Sequence, residues 1–138
     1  MKMMKAMMGM TVLLACSLGF MGCEGEDSDS DITPTSFKLD RNLASYDGTD
    51  NYSWDTTLSQ ARFQVTIADF RAGDALIQVF DAKGKLIQRS VLVTPSYTLY
   101  LGDNKFVQNG VTGKGTPGVW TVQLSYDQFT GDQTILMN

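Results

Sequence analysis

Beyond residue 32 the chain alternates between apolar and polar positions, and no window carries a convincing 3.6-residue period. Phe63, Val65 and Ile67 alternate with Gln64 and Thr66, the pattern of a strand with one buried face. The cleanest alternation is Trp120-Thr121-Val122-Gln123-Leu124-Ser125-Tyr126, and Tyr97, Leu99 and Leu101 repeat it around Thr98 and Tyr100. Ala75 to Phe80 and Leu86 to Val93 are richer in apolar residues on both faces, as more central strands are. Between them, Asp81-Ala82-Lys83-Gly84 predicts a hairpin in which Gly84 supplies a positive φ. Phe37 to Leu39 and Thr134 to Met137 complete the set as first and last strands. Seven to eight short strands with frequent turn signals predict an all-β, antiparallel β-sandwich.

The first 22 residues break this pattern. Seven of the eight Met lie in residues 1–21, Lys2 and Lys5 make a basic start, and the 17 residues from Ala6 to Gly22 carry no charge. Basic, apolar, small and then polar is the order of an export signal. Phe20-Met21-Gly22-Cys23 resembles a bacterial lipobox. The resemblance implies a diacylglycerol on the Cys23 thiol, cleavage before Cys23, and usually acylation of the new amino group. Leu13-Leu14-Ala15-Cys16 fits the same pattern and makes Cys16 the alternative; the apolar run continues past it, which favours Cys23. An uncleaved anchor would sit at the lower edge of the length needed to span a bilayer. Each of these readings places the domain outside the cytoplasm. The expected location is the bacterial cell envelope, lipid-anchored in the outer membrane and facing the periplasm or the cell surface.

Residues 24–31 hold five acids and no hydrophobe, so they are expected to remain an extended, disordered spacer. The predicted organisation is a signal peptide over residues 1–22, an acidic tether over 23–36 and a β-sandwich over 37–138. The whole chain carries −4, yet residues 32–138 hold nine basic and ten acidic side chains. A nearly neutral domain gives nucleic acid no electrostatic footprint. There is no His, and both Cys lie within the first 23 residues. Histidine-based triads and Cys/His zinc sites are thereby excluded from the domain, and no cofactor is expected beyond the covalent lipid.

A second resemblance covers about half of the domain. Ala75-Leu-Ile-Gln-Val-Phe-Asp81-Ala-Lys-Gly84-Lys-Leu86, followed by Gly118-Val-Trp120 through Tyr126 and Phe129-Thr-Gly131, is similar to bacterial pre-peptidase C-terminal and proprotein-convertase P-type sandwich domains. It implies an accessory extracellular sandwich, Ig-like or jelly-roll-like, and transfers no catalytic residues.

Three segments hold candidate chemistry. Gly113-Lys-Gly-Thr-Pro-Gly118 matches G-x-G-x-x-G, but Pro117 and a β-patterned run follow it. With no helix N-terminus to hold a pyrophosphate, it reads as a loop. Tyr46 to Asp55 interleaves Tyr46, Tyr52 and Trp54 with Asp47, Asp50 and Asp55 in an apparent loop. Aromatic faces there would stack on sugar rings, and the three acids are a calcium alternative. The competing reading makes Trp54 a plug at one end of the sandwich, buried like Trp120, which opens an alternating strand. The acids of the tether lack the glycine turn and terminal bidentate acid of a calcium loop.

The resulting expectation is a non-catalytic binding or structural module, with an envelope protein or polysaccharide as partner besides the membrane. Its rivals are a small carboxylate-based hydrolase, marked by a raised carboxyl pKa in a cleft, and a purely structural envelope component.

Overall fold

The computed structural model describes residues 27–92 and 105–138. The expected signal peptide, Cys16, Cys23 and the expected strand from Tyr97 to Leu101 lie outside the described residues. Among the described residues there are six antiparallel strands: β1 (Asp27–Thr33), β2 (Ser36–Thr56), β3 (Arg62–Phe80), β4 (Leu86–Leu92), β5 (Phe106–Val111) and β6 (Gly118–Met137). They form one hydrogen-bonded sheet in the order β1-β2-β6-β3-β4, with β5 also paired to β3.

Three of these strands are far longer than the short ones expected, because each serves both layers of the sandwich. Register breaks fall between Leu43 and Gly48 in β2, and between Ala68 and Asp74 in β3. The facing stretch of β6 runs from Tyr126 to Gly131. Ser45, Gly48, Asp69, Gly73 and Gln128 all have positive φ there. Bulges bend a strand sharply, and three aligned on neighbouring strands fold the whole sheet over along one crease. At Gly73 (φ +89°) a Cβ would lie 2.3 Å from the Gln128 carbonyl oxygen, so the backbones approach too closely for any side chain.

The first layer contains β1, residues 36–43 of β2, 131–137 of β6, 62–68 of β3, and β5. The second contains residues 48–56 of β2, 118–126 of β6, 74–80 of β3, and β4. Inward side chains from both halves of the same strand meet across the core. Phe37 and Trp54, both in β2, pack with ring centroids 5.9 Å apart, and Trp54 meets Trp120 edge-on at 5.5 Å. Leu39, Val65, Ile67, Ile77, Val79, Val122, Leu124, Phe129, Ile135 and Met137 fill the remainder. The molecule is an all-β antiparallel sandwich made by folding one sheet.

The hairpin at Asp81–Gly84 forms as the sequence predicts. Gly84 (φ +79°) donates its N–H to the Asp81 carbonyl at 2.9 Å. The acidic spacer differs from expectation: residues 27–33 of it are β1, paired with residues 36–42 of β2. No hydrophobic burial is required there. Side chains 28–33 are exposed, and the strand is held by its backbone ladder at a sheet edge, where repeated acids also discourage pairing with other chains. The ordered sheet therefore begins before Phe37.

Candidate functional site

Tyr46 to Asp55 is not a loop; it is the bulge and second half of β2. Trp54 is 0% exposed, and its indole N–H donates to the Thr33 carbonyl at 2.7 Å. Trp54 thus closes the end of the core and offers no face to a sugar, which removes the exposed aromatic that the loop reading required. Tyr52 is half-buried and packs edge-on against Phe37, while Tyr46 packs against Tyr126 and donates its hydroxyl to Asp50 at 2.9 Å. The three aromatics are core and edge-of-core groups.

The acids of this segment also diverge. Strand alternation turns Asp50 inward and Asp55 outward, and Asp47 accepts from both the backbone and the side-chain amide of Gln128 across the crease. The calcium trio is therefore not assembled, and among the described residues no three acids gather to hold a metal. Asp50 instead lies 2.9 Å from the guanidinium of Arg41, which is fully buried between the two layers. That cation sits 5.1 Å from the Tyr46 ring centre and 5.0 Å from that of Tyr126, a cation–π arrangement strengthened by exclusion of water. Burial raises the Tyr126 phenol above its ordinary pKa, and the Arg41 charge opposes the shift. Tyr126 stays a neutral donor to the Gln133 amide oxygen. This cluster belongs to the core.

Among the described residues the carboxyl shifts that are resolved, at Asp40 and Asp81, run downward. The Asp40 carboxyl is held below its ordinary value, first by the hydroxyl of Thr134 and next by Lys38. Asp81 is lowered as well, first by the backbone N–H of Thr116 and also by those of Lys85 and Lys83. A glycosidase acid requires the opposite shift. Asp81 is a clasp. It joins the β3–β4 hairpin to the loop at 113–118, accepting from Thr116 at 2.8 Å, Lys85 at 2.8 Å and Lys83 at 2.9 Å. The glycines of that loop allow close packing: a Cβ on Gly115 would fall 2.7 Å from that of Asp81.

Two outer sheet faces remain. On the β2–β6 half of the first layer the polar groups satisfy one another: Asn42 donates to Asp132, Thr134 to Asp40, and Lys38 pairs with Asp40; its β3–β5 half sets Arg62, Gln64 and Asn109 beside Val107, Val111 and Leu136. On the second layer, register places Asn51, Gln123, Gln78 and Arg89 abreast on β2, β6, β3 and β4. Neighbouring strands lie 4.7–4.9 Å apart, so this row of amides and guanidinium is about 14 Å long. Hydroxyls flank its β2–β6 half, where Thr49 and Ser125 bond at 3.0 Å and Gln123 donates to Asn51 at 3.1 Å. Apolar side chains flank its β3–β4 half, with Leu76 and Val91 on one side and Phe80 and Leu86 on the other. Among the described residues, the side chains of Gln78 and Arg89 engage no protein partner, leaving their hydrogen-bonding groups available. Beside Arg89 a shallow depression of ≈ 230 Å³ is floored by Ala75, Leu76 and Val91 and bordered by Asp74, Ser125 and Asp127.

Of these residues Thr49 and Asn51 fall in the Tyr46–Asp55 segment that the sequence singles out, and the others belong to no candidate site legible in the sequence. Thr121, Gln123 and Ser125 are legible as the polar side of an alternating strand, but the row exists only through the pairing of four distant segments.

No protein-family model and no curated protein matches the chain. Among solved structures, the carbohydrate-binding module TmCBM61 in complex with β-1,4-galactotriose is similar at 12% identity and a TM-score of 0.43. The match covers 80% of this chain and 65% of that one, so this chain spans less than two thirds of its length.

Proposed function

We propose that the chain is a lipid-anchored protein of the bacterial envelope whose sandwich is a non-catalytic module binding polysaccharide across the outer face of the second layer. The observation that carries this reading is the row Asn51–Gln123–Gln78–Arg89 with its apolar flank. Planar amides and a guanidinium present paired donors and acceptors at fixed spacing, which suits vicinal hydroxyls. Leu76 and Val91 offer the C–H face of a sugar ring an apolar contact beside them. A flat, solvent-open face several strands wide admits an internal stretch of polymer without enclosing its end.

The anchor rests on Lys2, Lys5, the charge-free run and Cys23. Cys23→Ser should release the protein from the membrane fraction, whereas Cys16→Ser should leave it there. Mature protein beginning at Cys16, or lacking acyl mass, contradicts the assignment. Binding is tested by electrophoretic retardation in native gels containing soluble neutral polysaccharides. Gln78→Ala, Gln123→Ala and Arg89→Ala should each weaken retardation about three- to tenfold, the scale of one lost hydrogen bond, with unchanged folding. Retardation unaffected by all three removes this face as the site. A chain that binds no polysaccharide contradicts this reading.

A further inference from the structure

The outer face of the second layer changes character along its length. Gln123, Gln78 and Arg89 stand abreast; the next outward row toward the crease is Ser125, Leu76 and Val91, and the one after it holds Asp127 and Asp74. The depression of ≈ 230 Å³ spans these rows. Pockets for drug-sized ligands measure about 300–1,000 Å³, so this one admits a substituent and the edge of the ring that bears it. Its floor of Ala75, Leu76 and Val91 is aliphatic, with Val91 43% exposed. Its charged groups stand at opposite ends. The Arg89 guanidinium, only a donor, closes the end toward the amide row. The exposed Asp127 carboxylate, only an acceptor, closes the end toward the crease. Asp74, opposite Asp127, holds an interaction of its own and serves as a wall.

We infer, resting on the reading of this face as a polysaccharide site, that the depression is a subsite for an acetamido group, so that the polymer carries N-acetylated hexosamine units. Charge and apolar surface select this substituent. A uronate, sulfate or phosphate would bring negative charge into a depression walled by Asp74 and Asp127. A free amino sugar would set its ammonium over an aliphatic floor and within the field of Arg89. A bare hydroxyl would leave that floor to water. The acetamido group is neutral and carries the three matching functions. Its carbonyl oxygen accepts from Arg89, its N–H donates to Asp127, and its methyl covers Leu76 and Val91. In a trans amide the C=O and N–H point in opposite directions, as the donor and acceptor ends of the depression require. Each hydrogen bond has one charged partner, which makes it the stronger kind. The methyl contact removes apolar surface from water.

The test is an NMR titration of the isotope-labelled full chain in detergent. The probes are N-acetyl-D-glucosamine and N-acetyl-D-galactosamine, set against D-glucose, D-galactose and D-glucosamine. Both acetamido sugars should bind about tenfold more tightly than the other three, the scale of one charged hydrogen bond. Shifts should centre on Leu76, Arg89, Val91 and Asp127, with intermolecular NOEs from the acetyl methyl to the methyls of Leu76 and Val91. Asp127→Ala should cut the preference to about threefold or less, whereas Asp55→Ala, which removes an exposed acid farther along the same face, should keep it. Equal binding of all five sugars at this face overturns the acetamido subsite and leaves the polysaccharide reading standing. Tighter binding of D-glucosamine makes the depression a cation site and overturns it, as do acetamido shifts centred elsewhere. Binding of none of the five also overturns the subsite. Retardation by neutral polysaccharides in native gels then judges the broader reading separately, and its absence removes both.

Discussion

At the scale of single residues, the two tryptophans behave alike despite their different sequence surroundings. Both are 0% exposed and touch each other. Truncating either to Ala should cost about 3–5 kcal/mol, as for large aromatic core residues, measured by denaturant unfolding. A loss below about 1 kcal/mol for Trp54→Ala would mean its ring is exposed. Trp120 was legible because Val122, Leu124 and Tyr126 repeat its spacing. For Trp54 the plug reading competes with an exposed one because the inward position four residues earlier is Asp50, an acid held there by the buried Arg41 and the Tyr46 hydroxyl. Asp81 sets a pH dependence. Its carboxyl and that of Asp40 titrate below the ordinary 3.8 in the folded chain, so both stabilise fully above that pH. That stability is lost as pH falls through the lowered values, since the unfolded chain then binds protons more readily. Asp81→Asn should therefore lower the melting midpoint at pH 7 and shrink the further drop between pH 4 and pH 2. An unchanged acid limb would show that the clasp carries no linkage.

At the scale of elements, the crease is the feature that makes a sandwich of a single sheet. Gly73 and Gly84 test it as a pair. Both have positive φ, but a Cβ at Gly84 meets nothing within 4 Å, whereas one at Gly73 strikes the backbone of Asp127 and Gln128. Gly84→Ala should lose only the left-handed backbone penalty, about 1–2 kcal/mol. Gly73→Ala should lose clearly more, because the crease must also open; equal losses in thermal unfolding would show that the close approach is not required. The hairpin at 81–84 was legible because its turn chemistry is local. The crease was not: Ser45, Asp69 and Gln128 adopt positive φ without being glycine, and their alignment depends on non-local register. The same limit divided β6 into two expected strands, Trp120–Tyr126 and Thr134–Met137, where one bent strand runs through both. β1 was missed because edge pairing leaves no hydrophobic signature.

At the scale of the whole molecule, most of the described aromatic residues lie in or against the core, while Phe80 lies on the outer face of the second layer. The near-neutral charge of residues 32–138 and the lowered carboxyls both suit recognition of uncharged polymer better than acid–base chemistry. The face of the second layer combines the amide and guanidinium groups of Gln78 and Arg89 with an apolar flank of Leu76, Val91, Phe80 and Leu86. The most direct test is a titration of isotope-labelled protein with a neutral polysaccharide retained in native gels, followed by amide and side-chain NMR shifts. The account predicts saturable shifts concentrated at Asn51, Leu76, Gln78, Arg89, Val91 and Gln123, with the side-chain amides of Gln78 and Gln123 among the largest. Saturable shifts centred instead on Asp29, Asp40 and Asp132 of the first layer would contradict it.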